Sequence, residues 1–308
     1  MRLFITGGAG FLGRQIVKRF YDTHDITIYS RDEAKHYYLK KQFPKINCII
    51  GDVADYQLMK RASIGHHIGI FAASLKQIEA VDQNVEVALN TIVQGAVNSR
   101  RVAEENNFEA ACFISTDKSR AATTLYGSMK FVAGELFIVN AESSNVKLST
   151  AIYGNVLNST GSIIPLIWDS IRNNYALTLF SPEMTRFMIT ADEAVDVIEK
   201  ALTFNGYNVI PNIKSFKVST LFDIFRDEFG LKYNIGHPRI SEKLHEIMIA
   251  HEEIPRTIFD KKKNIYLMHY NNTVPEITLP FKEFSSADFV VSQNELYDIL
   301  QGNDFFKS

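Results

Sequence analysis

Tyr126 and Lys130 are four residues apart at the start of a helical pattern, so their side chains share one face. A phenol ordinarily titrates near about 10. A neighbouring ammonium lowers that value toward neutrality and makes the phenolate a usable base. A Tyr-x-x-x-Lys pair standing alone is most often a solvated helix face. Here an apolar run ending in Ser115-Thr116 precedes it, and a glycine-rich loop opens the same half of the chain.

That loop is Thr6-Gly7-Gly8-Ala9-Gly10-Phe11-Leu12-Gly13. It follows a strand pattern, Leu3-Phe4-Ile5-Thr6, and opens a helical one with Leu12, Ile16, Val17 and Phe20 on one side. Gly7, Gly10 and Gly13 permit a sharp turn, close approach of the backbone to a pyrophosphate, and a helix start with free N–H groups. The loop therefore predicts a dinucleotide cofactor held by Thr6, Gly7, Gly10, Phe11, Leu12 and Gly13. At the second strand tip, Ser30 and Arg31 suit a ribose 2′-phosphate, whereas Asp32 suits a free 2′-hydroxyl; NADP is favoured over NAD. Asp52 and Val53 after the third strand are placed for the adenine, and Ala72-Ala73 after the fourth for close cofactor approach.

Strands expected at 3–6, 26–29, 46–50, 67–71, 110–115 and 146–152 alternate with helices over 11–20, 33–43, 83–105 and 126–142. This alternation predicts a doubly wound parallel α/β sheet of the Rossmann kind. Beyond residue 155 the alternation breaks down, with helical patterns near 163–174, 192–204 and 220–229. The expected division is a dinucleotide-binding domain over 1–155 and, over 156–308, mainly a smaller substrate-binding lobe across the carboxyl ends of the strands.

The 308 residues are 46% hydrophobic and 22% charged, an ordinary balance for a globular chain. The net charge of −2 argues against a nucleic-acid partner. Apolar runs such as 163–168 are too short to span a bilayer, and no leader pattern precedes the loop, so a cytoplasmic protein is expected. Cys48 and Cys112 read as buried free thiols, and the histidines lack metal-ligand spacing. Lys261-Lys262-Lys263 reads as a solvated loop.

The sequence resembles the extended short-chain dehydrogenase/reductases that act on nucleotide sugars, and more narrowly the C5-inverting UDP-N-acetylglucosamine 4,6-dehydratases of flagellar and capsular polysaccharide synthesis. The resemblance lies in Ser115-Thr116-Asp117-Lys118, Tyr126-Gly127-Ser128-Met129-Lys130, Tyr153-Gly154-Asn155-Val156, Gly161-Ser162-Ile163-Ile164-Pro165, Met184-Thr185-Arg186-Phe187, Asp192-Glu193 and Glu242-Lys243-Leu244-His245-Glu246. It implies that Tyr126, with Lys130 and Thr116, helps remove the C4 hydroxyl proton while NADP⁺ takes the C4 hydride. Lys118 is then the base at C5 and Asp117 the acid at the C6 hydroxyl, and the hydride returns to C6. Such roles ask for a depressed lysine pKa and a raised aspartic one, and for the strand to have ended at Thr116 so that both side chains reach one ring.

The same resemblance implies cofactor contacts from Lys76, Thr91, Tyr126, Lys130, Tyr153 and Val156. It implies UDP-sugar contacts from Leu75, Lys118, Asn155, Thr160, Gly161, Ser162, Arg186, Arg239 and Glu242, and a homo-oligomer. The chain departs from the family pattern at Ile152, Thr160, Ile92, Ile240-Ser241 and 119–123. Several of these lie near the diphosphate or sugar, so the substrate is less constrained than the reaction. A UDP-sugar 4-epimerase and a non-catalytic dinucleotide-sensing regulator are the alternatives; the Tyr126/Lys130 pair argues against the regulator.

Overall fold

The computed structural model describes residues 1–238, 242–273 and 279–307. Its centre is a nine-stranded sheet among the described residues. The first six strands are β1 (Arg2–Thr6), β2 (Asp25–Ser30), β3 (Asn47–Ile50), β4 (Ile68–Phe71), β5 (Ala110–Ile114) and β6 (Lys147–Ala151). They pair in parallel in the order 3-2-1-4-5-6. The order reverses between β1 and β4, and a crevice opens there at the carboxyl ends. β1 and β5 are buried almost throughout, as strands covered on both faces must be.

The helices of this half are α1 (Phe11–Phe20), α2 (Glu33–Gln42), α3 (Tyr56–Ala62), α4 (Ile78–Gln83), α5 (Val85–Leu89), α6 (Gly95–Glu105) and α7 (Leu125–Ile138). α1 buries Gly13, Ile16, Val17 and Phe20 against the sheet. α7 starts where the Thr124 hydroxyl accepts the Gly127 N–H at 3.1 Å. The continuous helix expected over 83–105 is instead interrupted at Asn84 and carries a π turn over Asn90–Gln94. The extra residue in that turn lets the chain change direction without leaving the helical path. α3 was not expected; its apolar pattern is too short to register, and Asp55 caps it.

The chain then forms β7 (Asn155–Val156), α8 (Ile163–Asn173), β8 (Leu177–Leu179), β9 (Thr185–Ile189), α9 (Ala191–Ala201), β10 (Tyr207–Pro211), β11 (Ser215–Lys217), α10 (Val218–Phe229), β12 (Tyr233–Ile235), β13 (Ile247–Ile249), β14 (Thr257–Asp260), β15 (Ile265–His269), β16 (Phe284–Ser285) and α11 (Gln293–Gly302). β10 joins the main sheet parallel to β6, and β15 and β14 close that edge antiparallel. Three strands of the sheet thus come from beyond residue 155. The lobe beside the crevice is the small sheet β11-β9-β7 with α8, α10 and α11, whose apolar faces share one core that includes Ile164, Ile167, Phe216 and Phe225. Among the described residues no helix is long and apolar enough to cross a membrane.

Candidate active site

A cleft of about 1250 Å³ runs from the glycine loop to the β7–α8 segment. At one end Gly7 has φ +70° and lies so close to β4 that a Cβ would fall 2.9 Å from Ala73 N and Cα. A Cβ on Gly13 would fall 2.5 Å from the Gly8 backbone, so α1 packs directly onto the loop. No side chain caps α1 at Gly10, which leaves its first-turn amides for an anion. These features fit the pyrophosphate of a dinucleotide. Gly7, Gly10, Phe11, Leu12 and Gly13 line the cleft. Thr6 is buried beneath it and accepts the Ala73 N–H at 3.3 Å.

Ser30, Arg31, Asp32, Asp52, Val53, Ala72 and Ala73 line the next stretch. Asp32 caps α2, accepting the Lys35 N–H at 2.9 Å, and pairs with the Lys35 ammonium at 2.7 Å. Arg31 lies 3.5 Å from the Asp52 carboxylate, and Ser30 Oγ is hydrogen-bonded to His36 Nε2 at 2.6 Å. Two cations and a hydroxyl therefore gather at the β2 tip, each cation near an acid: Asp32 caps α2 and pairs with Lys35, and Asp52 lies beside Arg31. Thr91, in the π turn, also faces the cleft.

The candidate reactive residues stand beyond β5. That strand ends at Ile114, and Asp117–Ser119 form a 3-10 turn capped by Thr116. The alternation of a strand no longer applies there, so Asp117 and Lys118 approach each other. Asp117 is fully buried; its Oδ1 accepts from Thr116 Oγ1 at 2.9 Å and from Lys118 Nζ at 3.2 Å, and its Oδ2 has no hydrogen-bond partner among the described residues. Burial raises the Asp117 carboxyl pKa, as expected of an acid. Lys118 Nζ is also 3.2 Å from Asn155 Oδ1 and 3.2 Å from Glu246 Oε1. The expected depression of Lys118 is not found. Burial pushes its ammonium down, but the Asp117 and Glu246 carboxylates more than reverse this and hold it above the ordinary lysine range.

Gly127 allows α7 to press against this turn, since a Cβ there would sit 2.3 Å from the Lys118 carbonyl oxygen. Tyr126 is buried and lines the cleft. Burial lifts its phenol to about 12, and the cation that pulls it back is Lys118. Lys130, expected to do this, is buried with Nζ donating to the Ile114 carbonyl at 2.6 Å; burial lowers its pKa to about 7. An amine whose charge is weakened by burial and whose Nζ is turned to the Ile114 carbonyl is a weak electrostatic partner for the phenol.

Lys76, Thr116, Lys118, Tyr153, Asn155, Val156, Thr160, Gly161 and Ser162 also line the cleft. Lys76 Nζ donates to the Thr160 carbonyl and so ties the two walls together. Leu75 is half-buried against the core of the first half and is not part of the lining. Arg186 and Glu242 pair at 2.9 Å behind the cleft wall, with Arg186 Nη1 donating to the Thr185 and Leu244 carbonyls. Arg239 lies outside the described residues. His245 is hydrogen-bonded to Thr185 Oγ1 at 2.8 Å. Cys112 is buried and Cys48 half-buried, both as free thiols. Among the described residues no cluster of three or more His, Cys, Asp or Glu is placed to hold a metal ion.

Sequence reasoning gave no role to Arg14, Gln15 and Lys35, which line the cleft, or to Glu246 and Arg120. Arg120 follows the reactive turn and is almost wholly buried; its guanidinium meets Glu253 at 2.7 Å and Glu135 of α7 at 3.1 Å. Arginine in a surface-like run of small polar residues carries no pattern that announces burial.

A family model described as "Polysaccharide biosynthesis protein" matches residues 3–268. A UDP-N-acetylglucosamine 4,6-dehydratase (inverting) of Campylobacter jejuni is 32% identical over 263 residues, 82% of this chain and 78% of that protein. A UDP-glucose 4-epimerase of Rickettsia massiliae is 32% identical over 269 residues, 82% of this chain and 79% of that protein. Among solved structures, Pen from Bacillus thuringiensis superposes with a TM-score of 0.87 at 21% identity, over 99% of this chain and 98% of that one.

Proposed function

The chain belongs to the polysaccharide biosynthesis protein family, as an extended short-chain dehydrogenase/reductase, and from that premise we propose that it is an NADP-dependent UDP-N-acetylglucosamine 4,6-dehydratase that inverts C5. The observation that carries the reading is the Asp117-Lys118 turn, set against Tyr126 and opening on the cleft that the glycine cradle begins. NADP, when bound, supplies the acceptor for hydrogen from C4 and the donor to C6. Ser30, Arg31 and Lys35 would hold its 2′-phosphate, and the first-turn amides of α1 its pyrophosphate.

Tyr126 takes the C4 hydroxyl proton. Its phenol is high in the free protein, and Lys118 together with the positive nicotinamide ring brings it down. Lys118 passes its proton to the Asp117 carboxylate 3.2 Å away and then removes the C5 proton, and Asp117, whose pKa burial raises, delivers the proton it received to the departing C6 hydroxyl. Asn155 and the 160–162 turn orient the sugar nucleotide, and the Lys76–Thr160 link fixes the wall on which they stand. The same reading includes a cytoplasmic homo-oligomer. It is supported by exposed Val85, Leu89, Val97, Leu125, Val132 and Leu136 along α5, α6 and α7, of which α6 and α7 lie side by side.

One observation favours a 4-epimerase instead. Lys118 is held as an ammonium by three acceptors, which does not offer a base at C5, and an equally similar relative is named as a 4-epimerase. Incubation with UDP-N-acetylglucosamine decides between the two. A product lighter by one water supports the dehydratase. A product of unchanged mass supports the epimerase, and no product despite demonstrated binding rejects both.

A further inference from the structure

Glu246 stands one residue before β13 and its side chain is nearly closed to solvent. Its backbone is clamped: its N–H donates to Ser286 Oγ at 2.9 Å, and its carbonyl accepts the Ser286 N–H at 2.8 Å. The side chain starts from this fixed point and is closed in by Lys118, Arg186 and Lys243. Its Oε1 lies 3.2 Å from Lys118 Nζ and 3.8 Å from Arg186 Nε, and its Oε2 lies 3.7 Å from Lys243 Nζ without a hydrogen bond.

An ammonium has three N–H donors. Lys118 has three acceptors within 3.2 Å: Asp117 of its own turn, Asn155 of β7 and Glu246 from the far wall. With all three engaged, no lone pair is available for taking a proton from carbon. Asn155 carries no charge, so the Asp117 and Glu246 carboxylates keep the amine charged, and Glu246 is the one that comes from outside the turn.

We propose that Glu246 is a positioning residue for Lys118: its carboxylate aims the amine across the turn and sets the pH at which that amine becomes free to act as a base. This deepens the reading of Lys118 as the proton-transfer group and rests on it. The groups that face Lys118 are Asp117 on the turn, Tyr126 on α7, Asn155 on β7, Arg186 on β9, and Lys243 and Glu246 before β13. Arg186 and Lys243 oppose its charge, and removing Glu246 leaves them unbalanced. Both changes move the amine the same way, toward earlier loss of its proton.

The test reads the amine itself. Trace acetylation of the whole protein across a pH series, followed by peptide mass spectrometry, gives the pH at which Lys118 becomes reactive. In Glu246→Gln that midpoint should fall by about one pH unit or more, with dinucleotide binding retained as a check on folding. In Glu246→Asp it should fall less. If Glu246→Gln does not fold, the Asp variant carries the test, because a retracted carboxylate must shift the midpoint in the same direction. A midpoint unchanged within about 0.3 pH unit in a folded variant overturns the proposal, since one unit corresponds to about 1.4 kcal/mol of differential interaction. The measurement needs no substrate. A shifted midpoint in a protein that dehydrates nothing rejects the dehydratase and leaves Glu246's role standing.

Discussion

Replacing Lys118 by methionine keeps the stem's volume and removes the charge between two buried carboxyl groups. Removing one member of a buried ion pair typically costs about 3–5 kcal/mol, because the remaining charge is left uncompensated. Arg186 and Lys243 remain 3.8 and 3.7 Å from Glu246, which places the expected loss at the lower end, about 3 kcal/mol near pH 8. At roughly 2–4 °C per kcal/mol for a chain of this size, the melting temperature should fall by roughly 6–12 °C. The loss depends on pH with a definite sign. Asp117 already has a raised folded pKa and rises further without the ammonium, while Glu246, lowered in the intact protein, loses the cation that does most to lower it and moves up in the variant. A group raised on folding contributes stability that is fully present below its unfolded pKa, about 4, and is lost as pH rises through the folded value. The deficit of Lys118→Met should therefore be largest at pH 8 and should shrink toward pH 5. Thermal unfolding of both proteins at the two pH values measures it. Equal stability at pH 8, or a deficit that does not narrow on acidification, refutes the view that Lys118 holds two carboxylates in place. Sugar elimination should fail in the same variant while dinucleotide binding survives.

Tyr126→Phe should lower turnover by about 10²–10⁴-fold with dinucleotide affinity unchanged, read by product formation and by titration with NADP; normal turnover would assign the proton transfer elsewhere. Arg31→Ala should weaken NADP about tenfold or more and leave NAD almost unaffected, which paired titrations would show. Gly13→Ala would set a Cβ 2.5 Å from the Gly8 backbone and so must displace the loop, and should cost about 1–3 kcal/mol of stability and at least tenfold in dinucleotide affinity.

The parallel core was legible in the sequence because its signals are local. Apolar runs over 3–6 and 110–114 and the glycine loop between β1 and α1 state their conformations without help from distant residues. Tyr126 could be found for the same reason, whereas Asp117-Lys118 stood out only through the resemblance carried by the motifs that flank it. The surroundings of that turn could not be read, because Glu246, more than a hundred residues away, reaches Lys118 only when β13 packs beside the turn. The expected partnership of Lys130 with the phenol shows the same limit. Four-residue spacing gives a shared helix face, but burial and the Ile114 carbonyl decide where the amine points. Nothing in the 83–105 pattern marks the π turn at 90–94, where an extra residue enters the helical path without a glycine or proline.

The antiparallel pair β14–β15 carries a consequence for anyone wishing to shorten this protein. The motifs that announce the chemistry end near residue 250, which suggests a convenient place to cut. β15, however, supplies the ladder partner for β10 along Tyr207–Pro211, and β14 in turn covers β15. A fragment ending at 250 would present the Val209-Ile210 stretch with a bare row of amides and carbonyls, a template for strand addition by another copy. It would also lose Glu253, leaving the buried guanidinium of Arg120 short of a counter-ion one residue beyond the reactive turn. Such a fragment should associate into aggregates before it could be asked whether it still handles sugar.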